Sequence, residues 1–176
     1  MKTKKYAMLK TIKNPAVIIL ILLVLWFSSC INADDPERTA ETEQMELKEA
    51  IGNLQSAGYN VDTTDLGVFY VMNKPGTGPY PQSSDTCFMI YTGFFLNGVI
   101  FDSSGLYYTD SIWQFNFRQV SLIPGFNDAI ELLNKGAEAD VIIPSELAYG
   151  IYGYGDIPPY TPLVFSMKMK DIRPKK

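Results

Sequence analysis

The dipeptide Asn97-Gly98 is the strongest turn signal in the chain. It follows residues 86–96 and precedes a short β-rich run at 99–101. In the first of these runs, one strand face would carry Cys87, Met89, Tyr91 and Gly93, and the other Phe88, Ile90 and Thr92. Asn-Gly between two such runs is typical of a tight β-hairpin, because both residues tolerate the positive φ angles that these turns need. This part of the chain is therefore expected to contain an antiparallel pair of strands.

Further strands are predicted on both sides of this hairpin. β-rich or alternating runs occupy residues 66–72, 112–117, 139–143 and 163–169, with Gly and Pro turn signals between them. Only residues 127–135 have a helical pattern here, and Gly136 is a suitable C-terminal stop. The predicted fold class is α+β, with a curved antiparallel β-sheet wrapped around one short α-helix.

Charge divides the chain into three parts. The first 29 residues contain five lysines and no acid, residues 30–65 contain nine acids against Arg38 and Lys48, and residues 66–176 are close to neutral. We therefore predict three segments: a signal peptide at 1–29, an acidic tether at 30–65 and a folded domain at 66–176. The overall net charge of −4 argues against nucleic acid as a partner, because phosphate binding needs a basic surface.

The basic start leads into twelve apolar residues, 16–27, and then Ser28-Ser29-Cys30. A bilayer-spanning helix needs about 20 apolar residues, so the run fits the apolar region of a secretory signal better. Small residues directly before Cys30 resemble the lipobox of bacterial lipoproteins, which predicts cleavage before Cys30 and its lipidation. The alternatives are an ordinary signal peptide, or an uncleaved anchor, with a chance cysteine. The lipoprotein interpretation places the domain outside the cytoplasm on a membrane of the cell envelope, most naturally the outer membrane.

The acidic tether contains one predicted helix, at residues 43–57. Leu47, Ile51 and Leu54 lie on one face of it, and Gly58 ends it. This narrow apolar stripe either docks on the folded domain or pairs with a second copy of the chain. We favour docking, because a helix of about 15 residues is marginal as a dimer seam.

The composition excludes several kinds of chemistry. The chain has no histidine, which removes Ser-His-Asp and Cys-His catalysis and histidine metal sites. Cys87 lies in an apolar strand without a basic neighbour, so we expect a buried, unreactive thiol. The glycines at 150, 153 and 155 lack the Lys-Ser/Thr of a phosphate-binding loop and are expected to form a flexible aromatic loop. Aromatic residues make up 13% of the chain and allow an apolar pocket.

Six short motifs occur in a fixed order along residues 66–174, about three fifths of the chain. Together they resemble the FKBP-type peptidyl-prolyl cis-trans isomerase domain, whose fold matches the sheet and helix predicted above. They are Tyr91-Thr92-Gly93, Gly98 with Phe101-Asp102-Ser103-Ser104, Ile123-Pro124-Gly125-Phe126, Ala148-Tyr149-Gly150, Ile157-Pro158-Pro159 and Leu163-Val164-Phe165.

The resemblance implies a slot for proline, with no cofactor and no metal. Polypeptides containing proline are the implied partners, and macrolides are possible inhibitors. Phe126 is expected at the floor of the slot, Tyr149 as a hydrogen-bond donor to the carbonyl before proline, and Asp102 at the polar rim. The N–H of Ile123 is expected to bind a substrate carbonyl. The residues expected to line the slot with Phe126 are Tyr91, Phe101, Trp113, Ile123 and Phe165, with Leu122 and Ile157 closing its sides.

The resemblance has departures and leaves alternatives. Phe126 stands where the family commonly has tryptophan, Pro124 replaces a common arginine, and residues 151–156 form a slightly short loop. Asp102 could instead cap the Asp-Ser-Ser turn, and the apolar slot residues could be plain core. For the whole protein, the sequence favours a lipid-anchored isomerase that assists protein folding. The alternatives are a proline-binding chaperone or adaptor of the same fold without turnover, and a structural lipoprotein that oligomerises through residues 43–57.

Overall fold

The computed structural model describes residues 38–176. The predicted signal peptide and the lipidation site at Cys30 lie outside the described residues. Within residues 38–176 the chain forms one antiparallel sheet, two α-helices and two short 3-10 helices. No helix in that range is both long enough and apolar enough to cross a membrane.

The sheet has seven strands, all paired antiparallel. The strands are β1 (Asp62–Thr63), β2 (Phe69–Lys74), β3 (Thr86–Phe95), β4 (Ile100–Ser103), β5 (Trp113–Asn116), β6 (Glu138–Ile143) and β7 (Leu163–Arg173). Their order in the sheet is β1-β2-β6-β7-β3-β4. β5 also pairs with β3, on the same edge as β4 but along the other half of that edge. This open sheet with its helices confirms the predicted α+β class.

The predicted hairpin joins β3 to β4. The N–H of Gly98 donates to the carbonyl of Phe95, and Gly98 has a φ of 80°. The N–H of Phe95 in turn donates to the carbonyl of Val99, which closes a loop of three residues. A three-residue hairpin of this kind needs a left-handed residue at its third position, and glycine adopts that conformation without steric cost.

One face of the sheet carries the main core and helix α2 (Pro124–Glu131). The alternation in β3 and β7 explains why: Cys87, Met89, Phe165, Met167 and Met169 all point to this face and are buried. The helix contributes Phe126, Ala129 and Ile130 to the same core.

The helix was predicted at 127–135, and both of its bounds differ. It begins at Pro124 because proline suits the first turn, where its missing N–H would have no intrahelical partner. It ends at Glu131, after which the N–H groups of Leu132 and Leu133 donate three residues back instead of four. Such bonds tighten and close a helix end.

The opposite face of the sheet is covered by helix α1 (Ala40–Ser56). Ala50 and Leu54 are buried there with Val71, Ile142 and Val164, each from a different strand. The helix therefore docks on the body, as the sequence favoured. The buried line runs through Ala50 rather than the predicted Ile51, which is only partly buried. The side chain of Val164 in β7 points away from the main core, and it is only 1% exposed because α1 covers that face of the sheet.

Candidate functional site

A cavity of about 600 Å³ opens beside α2, at the end of the sheet where β3, β4, β5 and β7 present aromatic side chains. Its lining combines residues far apart in sequence. They are Tyr91, Phe101, Asp102, Trp113, Ser121, Leu122, Ile123, Pro124, Phe126, Ala148, Tyr149, Tyr154 and Phe165.

Strand pairing brings the walls of this cavity together. Tyr91 lies on β3, Phe101 and Asp102 lie on the neighbouring β4, and Phe165 comes from β7 on the other side of β3. Trp113 is the first residue of β5 and pairs with Met89 of β3. Since β3 is hydrogen-bonded to all three other strands, it acts as the frame on which the aromatic walls are held.

Phe126 lines the cavity and is 4% exposed. Its ring meets Phe165 edge to face at 4.9 Å between ring centroids, and Tyr91 in the same manner at 5.6 Å. Trp113 is 6.4 Å away. Edge-to-face aromatic packing at these distances is favourable beyond the area it buries, so the rings hold one another in place.

Gly93 makes room for two of these rings. A Cβ atom at this position would lie 2.7 Å from the Phe101 ring and 2.9 Å from the Phe165 ring. Those two rings contact each other edge to face at 5.5 Å between centroids. Glycine in the Tyr91-Thr92-Gly93 motif therefore lets both rings lie close to the backbone of β3.

The polar side of the cavity is centred on Asp102. The Tyr91 hydroxyl donates to Asp102 Oδ2 at 2.9 Å, and the N–H of Ser103 donates to Oδ1 at 2.8 Å. The following 3-10 helix (Ser104–Leu106) is capped by the side chain of Ser103, which accepts from the N–H of Gly105. Asp102 therefore does not cap this helix, and one oxygen of its carboxylate faces Tyr91.

Ser104 anchors this corner of the site, a role that the sequence analysis missed. It is fully buried; its Oγ accepts from the N–H of Tyr91 at 3.1 Å and donates to the carbonyl of Ser111 at 2.6 Å. The second serine of Asp102-Ser103-Ser104 thus ties β3 to the loop that leads to Trp113. The only signal for it in the sequence was its place in that motif.

The pKa values of three tyrosine hydroxyls at or near the cavity are raised. Burial, followed by the charge of Asp102, raises the pKa of Tyr91 well above its ordinary value. Burial and the neighbouring Tyr154 raise the pKa of Tyr149, and the charge of Asp102 raises the pKa of the exposed Tyr107. All three therefore remain hydrogen-bond donors throughout the neutral range.

Tyr149 lies on the loop between β6 and β7, residues 144–162, which we call the β6–β7 loop. Its ring stacks on that of Tyr154 with 5.1 Å between centroids and 13° between planes. Both residues line the cavity. Tyr154 was not among the predicted site residues, because nothing in the spacing of a glycine-rich loop reveals which of its tyrosines lies against the cavity.

Nine of the predicted slot residues line the cavity, and Ile157 does not. Ile157 is 8% exposed and belongs to the main core, where its N–H and carbonyl pair with Tyr154. It belongs to the β6–β7 loop, and its side chain packs into the main core instead of forming a side of the cavity. Ser121, Pro124, Ala148 and Tyr154 line the cavity without having been predicted as site residues.

Other reactive groups lie elsewhere. Cys87 is fully buried in the core, and burial, with the charge of Asp85, raises the pKa of its thiol to about 12. A thiol with such a pKa is almost entirely protonated at neutral pH and is a poor nucleophile. Among residues 38–176, no group of three or more Asp, Glu or Cys side chains is arranged to hold a metal ion.

Comparison with known proteins gives one consistent result. The family model described as FKBP-type peptidyl-prolyl cis-trans isomerase matches residues 78–170. The isomerase FkpA of Escherichia coli (strain K12) is 36% identical over 114 residues, which are 65% of this chain and 41% of that protein. The macrophage infectivity potentiator of Trypanosoma cruzi is 30% identical over 166 residues, covering 89% of this chain and 83% of the other.

Solved structures that are similar to this chain point to the same family. A peptidyl-prolyl cis-trans isomerase from Pseudomonas syringae pv. tomato aligns with a TM-score of 0.65 and 30% identity, over 81% of this chain and all of the other. FkpA from Escherichia coli aligns with a TM-score of 0.59 and 25% identity, over 89% of this chain and 81% of that one. By sequence, the chain spans less than half the length of the several FkpA-type relatives that it matches.

Proposed function

Given that the chain belongs to the FKBP-type peptidyl-prolyl cis-trans isomerase family, we propose that it catalyses cis-trans isomerisation of X-Pro bonds in polypeptides. The observation that carries this proposal is the cavity itself. It is lined largely by aromatic rings, among them Phe126, and the polar side chains of Tyr91, Tyr149 and Asp102 also line it.

The reaction needs a suitable environment and no nucleophile. Rotation about an X-Pro bond crosses a barrier of about 18–20 kcal/mol, because it breaks the amide resonance. The twisted amide is less polar than the planar one, so a dry aromatic slot favours the twisted state over the planar ground state. Differential binding of that kind is what lowers a barrier.

Each predicted group has a place in this proposal. The proline ring would lie over Phe126, between Tyr91, Phe101, Trp113 and Phe165. Tyr149, whose raised pKa keeps it protonated, would donate to the carbonyl preceding proline. Ile123 is the N-cap of α2, where N–H groups have no intrahelical partner, and its N–H would bind a second carbonyl of the substrate. Leu122 would close one side of the slot.

Asp102 would keep the Tyr91 hydroxyl turned away from the centre of the slot, because that hydroxyl donates to it. This leaves the faces and edges of the aromatic rings, rather than a free hydroxyl, against the rotating bond. No proton moves in this mechanism, so the absence of histidine from the chain carries no penalty.

We further propose that the protein is a lipoprotein of a bacterial cell envelope, anchored through Cys30, with its isomerase domain outside the cytoplasm. The support is the sequence of five lysines, a short apolar run and Ser28-Ser29-Cys30. Two or more acyl chains hold a protein on a membrane stably, since each buried CH₂ contributes about 0.8 kcal/mol. Its clients would be polypeptides folding in that compartment.

The direct test is a protease-coupled isomerisation assay of a short proline peptide with the full-length chain in detergent. We expect the rate of cis-to-trans conversion to rise in proportion to protein concentration. The rival function is a chaperone or adaptor that grips proline segments without turnover. Measured affinity for the same peptide without any acceleration would establish that rival and reject the isomerase.

A further inference from the structure

Helix α1 contacts the β6–β7 loop through a buried glutamate. Glu43 is 7% exposed; its Oε1 accepts from the N–H of Ser145 at 2.6 Å, and its Oε2 accepts from Ser145 Oγ at 2.5 Å. A carboxylate is rarely buried without such partners, because losing its hydration costs free energy. Both of its oxygens are thus committed to the first residue of the loop's 3-10 helix (Ser145–Leu147).

A second contact joins the start of α1 to the other end of the same loop. Arg38 Nε donates to the carbonyl of Pro159 at 3.2 Å, and Nη2 donates to the carbonyl of Tyr160 at 3.0 Å. The guanidinium is oriented by Glu46, whose Oε2 lies 2.5 Å from Nη2. Glu43 in α1 and Arg38 just before it therefore hold the β6–β7 loop near both of the loop's ends. The two contacted parts of the loop are 14 or more residues apart in sequence.

The residues between these two anchors form a wall of the cavity. Tyr149 and Tyr154, which stack on each other, both lie there. Hydrogen bonds within the loop connect them to the anchors. The carbonyl of Ser145 accepts from the N–H of Gly150, directly after Tyr149, and the carbonyl of Gly150 accepts from the N–H of Tyr160.

We propose that Glu43 and Arg38 are positioning residues for the isomerase site, acting through the β6–β7 loop on Tyr149 and Tyr154. The inference rests on the proposed function for its effect on catalysis. It gives helix α1 a role beyond that of a spacer, although α1 precedes the region that the family model matches, residues 78–170. The apolar side chains of α1 dock on the sheet, and its two polar contacts determine where the loop lies.

A purely structural role for Glu43 predicts something different. The docking of α1 is supported by Ala50 and Leu54, which pack on the sheet at a distance along the helix from Glu43. If Glu43 only helped this docking, its removal would lower the melting temperature and leave the loop and the catalytic rate of the folded protein unchanged.

The test compares Glu43→Ala, Glu43→Gln and the control Glu49→Ala in the full-length chain, well below the melting temperature of each. Glu49 is an exposed carboxylate of the same helix. Hydrogen exchange of peptides covering residues 144–162 reports on the loop, and kcat/KM and affinity for a proline peptide report on the site. Glu43→Ala should speed exchange in these peptides at least about tenfold and lower kcat/KM about fivefold or more, since small displacements of positioned groups reduce rates strongly.

Glu43→Gln keeps one acceptor oxygen and should recover part of both losses, while Glu49→Ala should behave as the parent. Arg38→Met should speed exchange chiefly near residues 158–161. An active parent with unchanged loop exchange and unchanged kcat/KM in Glu43→Ala would overturn the inference. A parent without isomerase activity would reject the proposed function instead, and loop exchange and peptide affinity would still decide whether Glu43 positions the loop.

Discussion

The Tyr91 hydroxyl donates a 2.9 Å hydrogen bond to Asp102 Oδ2 between neighbouring strands, and both residues line the cavity. The pKa of Tyr91 is raised by burial and by this carboxylate, so the hydroxyl keeps its proton and the bond persists at neutral pH. The pair joins β3 to β4 at the edge of the slot.

Removing either polar group of the edge should slow isomerisation. A lost hydrogen bond costs about 0.5–1.5 kcal/mol of transition-state stabilisation, which corresponds to up to about a tenfold lower rate. We expect Asp102→Ala and Tyr149→Phe each to lower kcat/KM by this order, with a melting temperature close to that of the parent. If both variants keep the parent's kcat/KM and peptide affinity, the assignment of these residues to the site is wrong.

Catalysis should be nearly independent of pH between about 6 and 8. The chain has no histidine, and the proposed mechanism moves no proton. The pKa values of Tyr91 and Tyr149 are raised, so both hydroxyls stay protonated beyond the ordinary tyrosine value of about 10. A bell-shaped kcat/KM profile within pH 6–8 would indicate a general acid or base.

The same two tyrosines affect folding stability only at high pH. Because their pKa values are higher in the folded state, their contribution to stability is fully present below the ordinary tyrosine pKa and is lost as pH rises through the folded-state pKa.

Replacing the floor residue should change ligand affinity. Phe126 contacts the rings of Tyr91, Trp113 and Phe165 and lines the cavity, so a tryptophan in its place would offer a ligand more apolar surface. Apolar burial contributes about 25 cal/mol per Å², and Phe126→Trp should therefore tighten binding of a rapamycin-type macrolide, as measured by calorimetry. Weaker binding by a fully folded variant would mean that the larger ring overfills this base.

A single methyl group at Gly93 should disturb both walls of the slot. In Gly93→Ala the new Cβ would lie within 3 Å of the Phe101 and Phe165 rings, and at least one ring must move. Overpacking of this kind costs about 1–3 kcal/mol of folding free energy. We expect a lower melting temperature together with a reduced kcat/KM in the fraction that is folded. Gly52→Ala, on α1 with open space around it, is the matched control and should be neutral or slightly stabilising.

The proposed lipid anchor makes a separate prediction. Cys30→Ala should leave a larger, unprocessed precursor and abolish labelling with a fatty-acid probe in cells. The only other cysteine, Cys87, lies far from the apolar run and its Ser28-Ser29 end and cannot replace Cys30. Cys87→Ala is the control: Cys87 is buried in the core and is not the expected attachment site, so this variant should be processed and labelled like the parent. Unchanged labelling of Cys30→Ala would reject the anchor.

The local elements of the fold were largely predictable. Alternation in β3 and β7 identified which side chains face the core, since neighbours on a strand point to opposite faces. Element ends were less predictable. Helix α2 starts three residues earlier than expected because Pro124 occupies its first turn, which the helical periodicity after it does not reveal.

The sequence alone determined the fold class and the hairpin at Asn97-Gly98, because these depend on local periodicity, turn chemistry and ordered motifs, and it named most of the aromatic residues that line the cavity. Only the tertiary structure decided that Ile157 packs into the main core, that Tyr154 lines the cavity and that Glu43 reaches Ser145. These depend on contacts between segments up to 102 residues apart, and the packing of helix α1 and the β6–β7 loop against the sheet sets those distances, whereas no local pattern encodes them.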